Sequence, residues 1–404
     1  MAKGSATWNR VKFGEVVRLV RETCKDPVAA GIERVIGLEH LKPGDLRVRS
    51  WNDVADGTTF TTRVRPGQVL FGKRRAYQRK VAVADFDAIC SGDIYVFESA
   101  NPERLLPELL PFICQTDAFF EHAVGTSAGS ISPRTNWSSL AEYELALPPL
   151  EKQRRLVMVL KAAECSLEAA RDAVQSSHTV YTAALAAIFI RRQASSGLTP
   201  ECWSPVGWPC ISLGTLSSPD APISYGIVQP GLSVVGGVPT VTSNNLNVGF
   251  RDKIHLTSPS IESVYERSRI RGGDILVTVK GFGTGNIAIV PEFFSGNITR
   301  DVARIRMNEE VDANFFFHLW KSPALDRYWR AVSVGTTRPE LSIGKLRDMM
   351  IPWPKAEVRY RIVSYLVKIE QSIKQLEMRV EQSQALQDSL LHRAIDNGLS
   401  VGAA

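Results

Sequence analysis

Along residues 358–394 apolar or small side chains return at intervals of three and four, at Ile362, Leu366, Ile369, Ile373, Leu376, Val380, Ser383, Leu390 and Ala394. Such spacing lays one stripe along a helix and calls for a partner helix. In residues 150–192, Leu160, Leu167, Val174, Tyr181 and Ile188 stand seven apart, with Ala163, Ala170, Ser177 and Ala184 three further on. A helix of about forty residues reaches roughly 60 Å at 1.5 Å per residue. The pattern predicts that the two helices pack on each other antiparallel, because the chain between them must leave one end and return to the other.

The intervening chain alternates on a shorter period. Residues 68–70 and 81–83, and again 275–279 and 287–290, are short runs with β-branched residues between polar turns, which predicts strands. Residues 105–122 and 313–328 predict amphipathic helices. Pro148, Pro149, Pro352 and Pro354 precede the long helices, where proline marks a helix entry. Residues 194–205, rich in Ser, Gly and Pro, predict a hinge.

The two halves also match each other. Trp8, Val11 and Gly14 are echoed by Trp208, Ile211 and Gly214. At a constant offset of 206, Arg65, Gly67 and Leu70 align with Arg271, Gly273 and Leu276, then Gly129 and Pro133 with Gly335 and Pro339, and Leu140 with Leu346. Several matches in one order, each leading into a long helix, indicate an internal duplication.

Charge narrows the options without deciding them. The net charge is +6, but residues 1–150 carry 19 basic and 18 acidic side chains and residues 201–354 carry 15 and 14. Nucleic-acid contact would therefore come from local patches on nearly neutral domains. Six cysteines and six histidines have no metal-ligand spacing, and no phosphate loop, adenine-methyltransferase Pro-Pro-Tyr site or nucleophile and base set is present. No leader pattern and no run of eighteen apolar residues occurs, which predicts a cytoplasmic chain without membrane contact.

Leu147-Pro-Pro-Leu-Glu-Lys-Gln153, the preceding Gly129-Ser-Ile-Ser132, and their looser second copies at Ile351-Pro-Trp-Pro-Lys-Ala-Glu357 and Gly335-Thr-Thr337 resemble specificity subunits of type I restriction-modification enzymes. Lys152 stands where that family has glutamate, and Arg359 where it has glutamine. The resemblance implies a mixed α/β chain of two duplicated α+β target-recognition domains joined by two long antiparallel coiled-coil-like helices. The expected divisions are a first recognition domain at 1–149, a spacer helix at 150–193, a linker at 194–207, a second recognition domain at 208–354, a second spacer helix at 355–396 and a tail at 397–404. It further implies a bipartite asymmetric double-stranded DNA target and two methyltransferase subunits as partners, with restriction/translocase subunits when present. S-adenosylmethionine, ATP and Mg would then belong to those partners, and this chain would hold no cofactor, no metal and no catalytic residue.

The clearest candidate for DNA contact is the acid-free run Lys73, Arg74, Arg75, Tyr77, Gln78, Arg79 and Lys80, whose cations suit phosphates and whose planar donors suit base edges. A solvated hairpin tip would collect the same charges. Its counterpart is the glycine-rich Lys280, Phe282, Thr284 and Asn286, read as a flexible turn that approaches DNA, with a plain β-turn as the other reading. Asn244, Asn245 and Arg300 are further candidates, as are Ser130 with Arg134 and Thr336, Thr337 and Arg338 at the matching place in each copy. Arg154, Arg155, Arg171, Lys368, Lys374 and Arg379 are expected outside the helical seam, where subunits would dock. An adaptor that binds proteins without reading DNA sequence fits the neutral domains too, and a detached specificity half of a single-chain nuclease is a third reading.

Overall fold

The computed structural model describes residues 8–190, 199–251, 253–281, 283–335 and 339–392. The expected helix ends at 191–193 and 393–396, residues 194–198 of the linker, the tail, Phe282, Thr336, Thr337 and Arg338 lie outside them. The chain forms two units, one made of the described residues up to Arg171 and from Met378 onward, the other of Asp172–Glu377.

In the first unit an antiparallel sheet runs in the order Val17–Val20, Ile94–Ser99, Val69–Gly72, Val81–Val83. A second sheet runs Asn52–Asp53, Arg34–Ile36, Ala88–Cys90, Thr62–Val64, with its middle pair parallel. Successive side chains of a strand point to opposite faces. Val69, Phe71, Val81 and Phe97 accordingly enter a phenylalanine-rich core with Phe13, Phe112 and Phe119, while Leu70, Ala82 and Val96 enter a second core with Ile36, Leu41 and Val64. Both faces are covered, so the strands read as continuous apolar runs.

The second unit repeats this plan. Its antiparallel sheet runs Ser224–Tyr225, Val302–Ile305, Ile275–Thr278, Ile287–Ile289. A three-stranded sheet places Val238–Val241 between antiparallel His255–Thr257 and parallel Asn297–Ile298. Ile275 and Val277 face one core and Leu276 the other, as Val69, Phe71 and Leu70 do. A small antiparallel pair closes each unit, Asn9–Lys12 on Glu144–Leu147 and Cys210–Ser212 on Met350–Pro352. The repeat is thus one of topology and of side-chain facing.

The expected helices at 105–122 and 313–328 are each broken. The short helix Leu110–Ile113 stops, and the Thr116 hydroxyl accepts from the Phe119 amide, capping a new helix at Asp117–Gly125. Ser322 does the same for Leu325, and Pro323 fits the first turn of Pro323–Val332 but not the interior of the preceding Glu310–Trp320. Apolar periodicity continues through both breaks, which is why the pattern alone joined them.

The long helices are Leu150–Phe189, 40 residues, and Ala356–Leu391, 36 residues. Each begins in one unit's core and ends in the other's. Leu160 shares the first core with Leu390 and Leu391, and Arg171 donates to Gln384 Oε1 at 2.9 Å. In the second unit Tyr181, Leu185 and Phe189 share a core with Leu366 and Ile373, and the Tyr181 hydroxyl meets Glu370 at 3.0 Å. The start of one helix therefore lies beside the end of the other in both units, the antiparallel pairing that the seams called for. Arg171 departs from expectation: it turns into the helix pair and toward Asp45, whereas Arg154, Arg155, Lys368, Lys374 and Arg379 are exposed.

Buried Gln153 explains the helix-entry motif. Its amide donates to the carbonyls of Arg104 and Pro148, each at 2.8 Å, and accepts from the Leu106 amide at 2.9 Å. Arg359, at the matching position, donates to the Pro354 carbonyl at 2.6 Å and to Asp312 at 2.7 Å, so the substituted side chain does the same work with a carboxylate as partner. Gln153→Leu strands three backbone groups, that of Pro148 fully buried, and is expected to lower stability by about 2–4 kcal/mol. Urea unfolding should show a lower midpoint at unchanged slope; a loss below about 1 kcal/mol would remove the capping role from this side chain.

Candidate nucleic-acid interface

The hairpin loop between Val69–Gly72 and Val81–Val83 carries the basic run and is braced by the loop containing Ser130 and Arg134. Arg74 and Arg134 form an antiparallel bridge, the Arg75 amide donates to the Pro133 carbonyl at 2.7 Å, and the Thr135 amide donates to Lys73. Arg75 and Arg79 adopt left-handed conformations, φ 55° and 54°, on either side of a short turn at Ala76–Gln78. Non-glycine residues rarely adopt that region. Here both amides are bonded, and buried Ala76 anchors the turn between them.

Far from being loose, each of the five cations has an internal contact. Arg74 reaches Asp93 and Ser132, both at 3.2 Å, and Arg75 reaches the same Ser132 hydroxyl at 3.1 Å. Arg79 lies over Phe120 at 4.7 Å and donates to Asp117 and to the Gln115 carbonyl. The Lys73 ammonium sits over Tyr95 at 4.7 Å. Lys80 is half-buried with its ammonium 2.6 Å from the Leu38 carbonyl, and desolvation, followed by nearby Lys42, lowers its pKa. Arg134 Nε donates to Asp93 at 3.0 Å while half its side chain stays exposed, so one carboxylate holds two guanidinium groups and leaves a net positive charge. Tyr77, Ser130 and Ile131 are exposed, Ile131 to 87%. The surface therefore presents positioned donors together with apolar groups, a combination suited to phosphates and base edges.

The second unit keeps this backbone frame and changes its side chains. Lys280 bridges Glu340 as Arg74 bridges Arg134, and Val334 bridges Glu340 as Ala128 bridges Arg134. The Lys280 ammonium pairs with Glu340 at 3.0 Å, so the counterpart of a basic cluster is a neutral pair. Thr284, only 8% exposed, points its hydroxyl at the carbonyls of Gly281 and Pro339. Nor does the glycine-rich turn behave as a loose tether: Trp320 donates to the Gly285 carbonyl at 2.7 Å and Trp329 packs against Gly285.

Asn245 is buried and accepts from the amide and hydroxyl of Thr242, whereas Asn244 is exposed. Exposed Arg300 lies in the turn whose next residue, Asp301, accepts from the Ser243 amide and gives its carbonyl to Val279, so Arg300, Asn244 and Lys280 come from turns that are tied together. Asn286 donates to Asn247 at 2.8 Å. Sequence reasoning missed Asp93, Ser132, Asn247 and Glu340. The available signal was positional: Glu340 stands at the offset of 206 from Arg134.

Over residues 6–173 and 232–382 the chain matches the family described as the type I restriction modification DNA specificity domain. The chain belongs to this family. Over 206 residues it is 32% identical to the type I restriction enzyme EcoBI specificity subunit of Escherichia coli, a match covering 50% of this chain and 39% of that one. The EcoDI specificity subunit, also of Escherichia coli, is 28% identical over 127 residues, 29% of this chain and 27% of that one. Both matches span less than two thirds of the relative's length.

Two solved structures share the fold along nearly the whole of both chains. One, from work on complex assembly and conformational transition of a type I R-M system, matches with a TM-score of 0.58 at 21% identity, covering 98% of this chain and 99% of that one. The type I restriction-modification S subunit from M. genitalium matches with a TM-score of 0.55 at 14% identity, covering 98% of each. Among the described residues there is no cluster of three or more His, Cys, Asp or Glu side chains able to hold a metal ion, and no helix long and apolar enough to cross a membrane.

Proposed function

We propose that this chain reads a bipartite, asymmetric double-stranded DNA target, one half-sequence with each unit, and scaffolds a type I restriction-modification complex in the cytoplasm without catalysing a reaction itself. The observation that carries the reading is the duplicated tip: one backbone frame holds Arg74 and Arg134 on Asp93 in the first unit and Lys280 on Glu340 in the second. Equivalent frames with unlike side chains suit two different half-sequences. The recognition domains are residues 1–149 and 208–354, and the helices Leu150–Phe189 and Ala356–Leu391 join them. Tyr77, Gln78, Ser130 and Arg134 face one half; Asn244, Lys280, Asn286 and Arg300 face the other.

Partner docking belongs to the long helices. Beyond the seam they expose apolar side chains within a turn of a cation, Met158 and Val159 near Arg154 and Arg155 on one helix and Tyr365 near Lys368 on the other. Two methyltransferase subunits carrying S-adenosylmethionine would use that surface, with ATP- and Mg-dependent restriction subunits added where present.

Selection of a randomised duplex library by the chain assembled with its methyltransferase subunits tests the reading. A two-part motif is expected. Gln78→Ala or Arg134→Ala should cost about 1–3 kcal/mol at base pairs of one half alone, and Asn244→Ala at base pairs of the other. Variants that weaken every sequence equally would reduce these residues to phosphate contacts, and no enriched motif at all would favour the protein-binding adaptor.

A further inference from the structure

We infer that Asn247 and Asn286 act as a single adenine-reading element, a specificity determinant of the second unit; the inference rests on the DNA-reading function proposed above. The two amides come from different parts of the unit. Asn247 lies in the short turn of helix Asn245–Val248, held by the Asn245 side chain, which accepts from the Thr242 amide and hydroxyl, and Asn286 ends the glycine-rich turn before Ile287–Ile289. They meet at 2.8 Å on an exposed part of the surface. Gly283 makes the approach possible, because a Cβ there would stand 2.7 Å from the Asn286 amide nitrogen.

A carboxamide has one acceptor oxygen and a two-proton donor nitrogen. When one amide nitrogen donates to the other's oxygen, the pair retains one uncommitted oxygen and one uncommitted NH2 group. Turning both amides over exchanges which residue supplies which, and the pair still offers one acceptor and one donor. In the major groove adenine alone among the purines combines a donor, N6, with an acceptor, N7. Guanine offers O6 and N7, both acceptors, and would set its O6 against the amide oxygen. Local charge agrees with this choice, since Lys280, although it faces the same half, has its charge offset by Glu340 and so does not favour guanine.

The dyad has a signature that a lone contact lacks. Asn247→Ala and Asn286→Ala should each lower selection for adenine at the same single position by roughly 10- to 100-fold, and the double variant should lose no more than either one alone. The other half-sequence should keep its preference. Selection would use the chain assembled with its methyltransferase subunits and a randomised duplex, with melting of each variant followed by tryptophan fluorescence to establish folding. Asn247→Gln, which keeps the chemistry on a longer arm, should retain adenine preference better than Asn247→Ala. Wild-type protein that selects a two-part motif, with folded variants selecting the same motif, would overturn the dyad and leave the broader function standing. Losses at different positions, or fully additive losses, would overturn the joint reading. Wild-type protein that selects no motif would overturn both.

Discussion

Gly285→Ala is expected to unfold the second unit's core at denaturant concentrations that leave Gly281→Ala folded. Both glycines have positive φ, 94° and 90°, so alanine at either must adopt a backbone region that costs an L residue about 1 kcal/mol. Their surroundings differ. Among the described residues nothing lies within 4 Å of an added Cβ at Gly281, whereas at Gly285 the methyl group would enter the ring of Trp329. Trp329 is fully buried and stacks on Trp320 with ring planes 3° apart, and Trp320 is in turn bonded to the Gly285 carbonyl. The ring cannot move without opening the core, so a loss of roughly 3–5 kcal/mol is expected, against about 1 for Gly281→Ala. Unfolding followed by tryptophan fluorescence compares them directly. Similar midpoints would mean that the turn yields and that the indole pair does not pin it.

That contrast marks where sequence reading ended. Short β-branched runs revealed the strands and seven-residue spacing the antiparallel helices, because each is a statement about which positions face a core, while the constant offset of 206 revealed the duplication. Fine placement escaped it. Gly281, Gly283 and Gly285 read alike on paper, yet among the described residues Gly285 meets Trp329 from a separate helix, Gly283 meets the nearby Asn286 side chain, and Gly281 has open space. Thr284 and Asn245 have side chains typical of DNA contacts but are buried and bonded to nearby backbone groups instead. Ser322-Pro323 hid a helix break within a continuous apolar pattern. At the first tip the basic run was legible as charge, but its order was not: Asp93 and Ser132, far apart in sequence, determine where Arg74, Arg75 and Arg134 point. A helix seam can be read from one segment, whereas a site built by two or three turns requires the fold that joins them.

Acidification should destabilise the second unit through His318. Its ring is buried at the joint of the long helices, 2.8 Å from the Tyr181 hydroxyl, which itself meets Glu370 at 3.0 Å. A neutral ring donating from Nδ1 to Tyr181, which donates onward to Glu370, satisfies this chain and leaves Nε2 as an unprotonated nitrogen in an apolar surround. Burial lowers the His318 pKa to about 4, outweighing the pull of Glu370 in the other direction. Above pH 6.5 the ring is neutral both folded and unfolded, and its neutral form contributes no pH dependence. Below that value the unfolded chain takes up a proton that the folded chain refuses, so stability falls by about 1.4 kcal/mol per pH unit until the folded ring titrates near pH 4, a total of roughly 3 kcal/mol. The first unit suggests the control, since Phe112 occupies the position 206 residues earlier. His318→Phe cannot titrate and keeps a ring in the core, so the difference in unfolding free energy between it and the wild type should shift by that amount in favour of the variant between pH 7 and pH 4, whatever the carboxylates elsewhere contribute to both. A difference that stays constant across this range would mean that His318 takes up its proton in the folded protein as readily as in the unfolded chain, and that the Tyr181 and Glu370 chain accommodates a charged ring.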